Sequence, residues 1–140
     1  MRRVSFKQVN KQLEYLVVRA ISGLLNSQGG LLFIGVDDNS NILGIENDYK
    51  TLGKKNKDGF LLQLNNLVNN HMGKEFHQYF ITKTEKIDNK EICIILISTS
   101  DTPVYLNYDN KEEFCVRGFA STESLGVRET HEYILSHWKK

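Results

Sequence analysis

KQLEYLVVRAISGLLNSQGGLLFIGVDDNSNILGI, residues Lys11 to Ile45, is the stretch that decides how this chain folds. Leu13, Leu16, Val17, Ala20, Ile21, Leu24 and Leu25 recur at helical spacing and leave Lys11, Glu14 and Arg19 on a polar back, which predicts a helix over 11–27. Gly29-Gly30 then supplies the left-handed conformation that closes a helix. A phosphate cradle needs the opposite order, strand then glycine turn then helix, so the pair reads as a cap. The apolar run LLFIGV (31–36) has strand length and the density expected of a central strand. The turn formers Asp37-Asp38-Asn39-Ser40-Asn41 lead into Ile42-Leu43-Gly44-Ile45, which predicts a hairpin.

Downstream, residues 46–59 are polar and carry Lys50, Lys54, Lys55 and Lys57. Helical periodicity resumes through Phe60, Leu61, Leu64, Leu67 and Val68. From Tyr79 the pattern changes to period two with β-branched residues. It predicts strands over 79–87 and 91–98 about a turn at Asp88-Asn89, the second strand fully buried. Pro103 precedes Val104-Tyr105-Leu106, a turn at Asp109-Asn110 leads into Phe114-Cys115-Val116-Arg117, and a last helix over 127–138 carries Tyr133, Ile134 and Trp138 on one side. Strands run consecutively instead of alternating with helices, so the expected class is α+β: a mixed or largely antiparallel sheet of about six strands packed with three helices. At 140 residues, 1–140 is expected to form a single domain.

Composition narrows the function. The segment Met1 to Ala20 is charged throughout and no long apolar run occurs, so neither a signal peptide nor a membrane span is expected and a cytoplasmic location is. Cys93 and Cys115 lie in apolar strands without ligand spacing, which reads as two buried thiols. The histidines His71, His77, His131 and His137 form no HExxH pair, and no serine occupies a strand-to-helix elbow. Asp37 and Asp38 follow a strand directly, where a carboxylate can hold Mg²⁺ or Mn²⁺ or simply make a turn.

The formal net charge is only +1, so any basic surface must come from local segregation. Arg2, Arg3, Lys7 and Lys11 cluster at the start, Lys83, Lys86 and Lys90 on one hairpin, and Arg117 and Arg128 late. The stretch Arg117-Gly118-Phe119-Ala120-Ser121-Thr122 combines cation, backbone N–H groups and hydroxyls in one loop, the mixture that phosphate contacts use. Tyr79, Tyr105 and Tyr108 are candidates for base stacking or for the core rim.

Two separated stretches carry a family resemblance. AISGLLNSQGGLLFIGVDDNSNILGI (Ala20 to Ile45) is similar to the AlbA_2, Schlafen-type pattern of an apolar helix, Asn-x-x-Gly-Gly, a strand, Gly-Val-Asp-Asp and a second strand. EFCVRGFASTESLGVRETHEYILSHW (Glu113 to Trp138) resembles its closing strand with an arginine, a Gly/Ser/Thr loop and a Tyr-Ile helix. The resemblance implies a nucleic-acid-binding domain. Schlafen-type endoribonucleases use two glutamates of a Glu-x4-Glu-Phe-Lys segment plus the second aspartate of Gly-Val-Asp-Asp. Here that aspartate is Asp38, Ser5 stands where the second glutamate falls when Phe6-Lys7 is aligned, and the first would precede Met1.

The resulting expectation is a module that binds the phosphate backbone of RNA or DNA through Lys54, Lys55, Lys57, Lys83, Lys86, Arg117, Ser121, Thr122 and Arg128, without nuclease activity and without a cofactor. The alternatives are a metal-dependent endoribonuclease acting on structured RNA, with Asp38 as the metal ligand, and a regulatory or protein-interaction fragment. DNA and RNA both fit, because the choice depends on groove width and 2′-hydroxyl contacts. Because the Schlafen core pairs two such lobes, the resemblance also implies a homodimer.

Overall fold

The computed structural model describes residues 2–4, 11–36, 39, 41, 42, 44 and 57–139; of residues 2–4, 11–13 and 57 the backbone alone is described. In chain order the elements are β1 (Arg2–Val4), α1 (Lys11–Leu25), β2 (Gly30–Ile34), α2 (Lys57–His71), a 3-10 helix (Lys74–Tyr79), β3 (Phe80–Ile87), β4 (Lys90–Ile97), β5 (Leu106–Tyr108), β6 (Lys111–Arg117), β7 (Thr122–Leu125) and α3 (Val127–His137). The class is α+β as expected, with three α-helices and strands that are antiparallel except at β1–β2. The strands divide into two sheets, ordered β1-β2-β4-β3 and β5-β6-β7.

α1 explains the division. Its consecutive buried residues Val17, Val18, Ala20, Ile21, Ser22, Leu24 and Leu25 leave room for a sheet on each side, where a surface helix would bury one stripe. β2, β4 and α2 pack against it, and so do all three strands of the three-stranded sheet. Gly23 permits the second approach, since a Cβ there would stand 2.8 Å from Thr122 Cγ2. The nominal polar back is also in use: Gln63 Nε2 donates to Glu14 Oε2 at 2.8 Å, and Arg19 bonds to β7.

The helix ends where the glycines predict. Gly29 has φ +71°, its N–H donates to Leu24 O at 3.0 Å, and a Cβ would lie 2.3 Å from Ile97 O. β2 runs between β1 and β4, the central place its apolar run implies. The hairpin expected after it is present as a single bridge, Val36 to Ile42, with Gly44 N–H donating to Gly35 O. Asp88-Asn89 and Asp109-Asn110 all have positive φ, the left-handed pair of a two-residue hairpin turn, and they join β3 to β4 and β5 to β6.

Two expectations change. β4 is not buried along its whole length: Cys93, Ile95 and Ile97 on one face are buried, as is Ile92 on the other, whereas Leu96 on that second face is 44% exposed. β7 falls in a stretch read as loop; its sequence, TESL, has too few apolar residues to signal a strand, and its pairing with β6 makes it one. Cys93 and Cys115 are free, buried thiols. Among the described residues no helix is long and apolar enough to cross a membrane.

Candidate nucleic-acid interface

Asp38, Lys54 and Lys55 lie outside the described residues, and Lys57 is described only as the first residue of α2. The structure brings Arg117, Ser121 and Thr122 together at the β6–β7 hairpin, where Arg117 and Thr122 are register partners. Lys83 and Lys86 project from opposite faces of β3 in the other sheet, and Arg128 is exposed in the first turn of α3. No described contact joins these three groups.

The hairpin is firmly seated. Ser27 Oγ accepts the Arg117 N–H at 2.8 Å, and Gly118 N–H donates to Ser121 O at 2.8 Å to close the turn. Arg19 reaches from α1 to donate to Thr122 O at 2.8 Å and to Ser124 Oγ at 3.0 Å. Thr122 points inward, its methyl against Gly23, so it seats the hairpin on α1. Ser121 points outward and is exposed.

Two polar atoms here lack partners. Arg117 Nη1 and Thr122 Oγ1 are buried and have no hydrogen-bond partner among the described residues. An unsatisfied buried donor costs about 1–3 kcal/mol, more when it is charged, so this guanidinium is one acceptor short. Beyond it, Phe119 at the tip of the hairpin is wholly exposed, with a relative accessibility of 110%. Sequence reading placed Phe119 inside the candidate loop without singling it out. The available signal was an aromatic residue between Gly118 and Ala120, where the chain has no strand to bury it.

The tyrosines divide. Tyr79 is half-buried and accepts the Asp101 N–H at 3.1 Å, and Tyr108 packs between Tyr15 and His71 with ring centroids 5.1 and 4.6 Å away. Both are rim residues of the core. Tyr105 is 39% exposed and lies against Phe114.

Behind the hairpin, Tyr15 donates to both carboxylate oxygens of Glu113 at 2.7 and 2.8 Å, and Arg19 Nε is 3.9 Å from that carboxylate. Burial, with the hydrogen bond to Glu113 and its negative charge, raises the Tyr15 phenol to about 12. Burial pushes Cys93 up to about 12 and raises Cys115 as well, so both thiols hold their protons at neutral pH and are poor nucleophiles. Among the described residues no group of three or more His, Cys, Asp or Glu side chains could hold a metal ion, and the Glu113 oxygens are already engaged by Tyr15.

Comparison with known proteins agrees with the architecture. The chain aligns over 94% of its length with the DIP2311 protein from Corynebacterium diphtheriae, at a TM-score of 0.62 and 16% identity, and spans 23% of that protein. It aligns over 93% of its length with 84% of the N-terminal domain of a RecG-related protein from Nitrosomonas europaea, a candidate ATP-dependent DNA helicase, at a TM-score of 0.57 and 16% identity. At these identities the likeness is one of fold. No curated protein matches the chain. The family model described as Schlafen, AlbA_2 matches residues 2–125, and by that match over most of its length the chain belongs to the Schlafen AlbA_2 family.

Proposed function

We propose that this domain binds nucleic acid through the β6–β7 hairpin and does not cleave it. The observation that carries the reading is the hairpin itself: an exposed aromatic tip, Phe119, with Arg117 at its base and the outward hydroxyl of Ser121 beside it. An aromatic ring stacks on an unpaired base, while guanidinium, hydroxyl and backbone N–H groups take phosphate oxygens. Lys54, Lys55, Lys57, Lys86 and Arg128 add counterion-releasing phosphate contacts along the strand, which makes binding steeply salt-dependent and weakly sequence-specific. Family membership and the fold shared with a RecG-related domain support a nucleic-acid partner. The stacking tip favours single-stranded or looped substrate over a closed duplex.

The reading without cleavage is supported by the sequence. Ser5 occupies the aligned position of one acidic ligand, which leaves a hydrolytic metal short of ligand charge there. The test is a titration of the purified chain against labelled tRNA and duplex DNA at several salt concentrations with Mn²⁺ present, the same samples then being run on a denaturing gel. Salt-sensitive binding with intact strands is expected. Cleaved RNA would overturn the inactive reading in favour of an endoribonuclease, and absence of binding at low salt would overturn nucleic-acid recognition and favour a protein-interaction role.

A further inference from the structure

The four-stranded sheet ends on β3, an eight-residue strand paired with β4 along one side only among the described strands. A two-residue turn at Asp88-Asn89 makes Ile87 and Lys90 the hydrogen-bonded pair that closes the β3–β4 hairpin. By the alternation of an antiparallel ladder, Ile81, Lys83, Glu85 and Ile87 then direct their backbone groups to β4. Thr82, Thr84 and Lys86 direct theirs to the open edge, whereas the Phe80 N–H caps the preceding 3-10 helix by donating to His77 O.

An open edge is ordinarily guarded by charge. Here the guard is weakened, because Lys83 Nζ lies 2.9 Å from Glu85 Oε1 on the same strand and the same face. That face is apolar around the ion pair: Ile81 is 66% exposed, Leu96 44% and Ile87 37%.

The strand is also its own complement. When β3 is laid antiparallel on a second β3 about a two-fold axis through Thr84, the outward-directed residues meet as hydrogen-bonded pairs, Thr84 with Thr84 and Thr82 with Lys86. The intervening residues meet as close side-chain pairs, Lys83 with Glu85 and Ile81 with Ile87. Neighbouring registers lose this match. An axis at Lys83 or at Glu85 opposes like charges, and an axis at Thr82 or at Lys86 sets an ion against an isoleucine.

We propose that β3 is a homodimerisation edge and that its occupant is β3 of a second copy in the register centred on Thr84, joining the two four-stranded sheets into one. A two-fold axis perpendicular to the sheet keeps both apolar faces on the same side, so Ile81 of one copy covers Ile87 of the other. Strand-to-strand pairing of this length is a small interface, and the association belongs with the weak, transient ones. The proposal does not depend on nucleic-acid binding.

Sedimentation equilibrium of the unaltered chain over a wide concentration range tests it, alongside Lys83→Glu, Glu85→Lys and the double swap Lys83→Glu/Glu85→Lys. The chain is expected to pass from one to two copies of 16.1 kDa as concentration rises. Each single variant sets like charges against one another at two symmetric places and weakens association about tenfold or more, and the double swap restores it. Both side chains are exposed, so thermal melts and far-ultraviolet dichroism should report folded protein for all four chains. A chain that stays monomeric at every concentration would overturn the proposal, as would single variants that associate as well as the unaltered chain.

Discussion

Replacing Asn26 by alanine should damage this fold more than any surface substitution. Asn26 is wholly buried at the end of α1. Its Nδ2 donates to Val104 O and to Cys115 O, each at 2.9 Å, and its Oδ1 accepts the Val104 N–H at 2.8 Å. One amide thus ties α1 to the approach of β5 and to the middle of β6. Alanine removes three hydrogen bonds and strands backbone groups of Val104 and Cys115, both 0% exposed, where water does not reach them. At about 1–3 kcal/mol for each stranded group, and allowing for relaxation, the loss is about 3–5 kcal/mol. Domains of this kind have about 5–15 kcal/mol in total, and each kcal/mol moves the melting temperature by roughly 4 °C, so the midpoint should fall by about 12–20 °C.

Urea unfolding followed by Trp138 fluorescence measures this directly. The indole Nε1 donates to Ser100 O, and the ring packs edge-on against Phe114, so its environment reports whether the three-stranded sheet is assembled. Asn26→Asp is the informative companion, since it keeps the acceptor for the Val104 N–H but points a second acceptor at two carbonyls. It should be as damaging as alanine at neutral pH and recover in part in acid, where the protonated carboxyl can donate one bond. A loss below about 1 kcal/mol for Asn26→Ala would refute the assignment of Asn26 as the junction.

Phe119→Ala should leave the melting temperature within about 1 °C and lower affinity for single-stranded RNA or DNA by roughly 5- to 100-fold, the worth of one stacked base; unchanged affinity in a fluorescence-anisotropy titration would remove the hairpin tip from the interface. Ser27→Ala deletes the acceptor of the Arg117 N–H without touching a ligand, so a stability loss of about 1–2 kcal/mol with weakened binding is expected, and binding that tracks neither would separate the hairpin from α1. In alkali, Cys93 and Tyr15 keep their protons longer in the folded state than in the unfolded one, where they titrate near 9 and 10. Their stabilising effect is therefore complete below pH 9 and is lost as pH rises toward 12; Cys93→Ala and Tyr15→Phe should each flatten that decline in melts taken from pH 8 to 11.

Local chemistry made much of this fold legible. Asp88-Asn89 and Asp109-Asn110 announce two-residue turns because asparagine and aspartate tolerate positive φ, and the glycine pair closes α1 because Gly29 passes too near Ile97 O for a side chain. The separation into two sheets was not legible, since it depends on what covers each side of α1, and helical spacing does not say that Ser22 and Gly23 admit a second sheet. β7 escaped for a related reason: Thr122, Glu123, Ser124 and Leu125 have no apolar alternation and become a strand only through Arg19 and the register with β6. Of the candidate site, sequence grouped Arg117, Ser121 and Thr122 correctly as neighbours but could not give their directions. Thr122 turns to α1, Ser121 to solvent, and Phe119 away from both.

The Asn-x-x-Gly-Gly segment that carries the family resemblance turns out to be the mechanical centre of the domain. Asn26 holds β5 and β6, and its carbonyl accepts the Tyr133 hydroxyl of α3. Ser27 accepts from Arg117 through its side chain and from the Thr99 hydroxyl through its carbonyl, and Leu25 O accepts the Ser100 N–H. Strands from both sheets and the last helix therefore meet at one helix end, and the hairpin bearing Phe119 springs from that point. A loop that must present an aromatic ring and a guanidinium to a flexible strand benefits from a rigid root, because ordering it at the moment of binding would cost affinity. The same junction that stabilises the core fixes the candidate interface, so substitutions there should lower stability and affinity together, while changes at Phe119 or Ser121 should lower affinity alone.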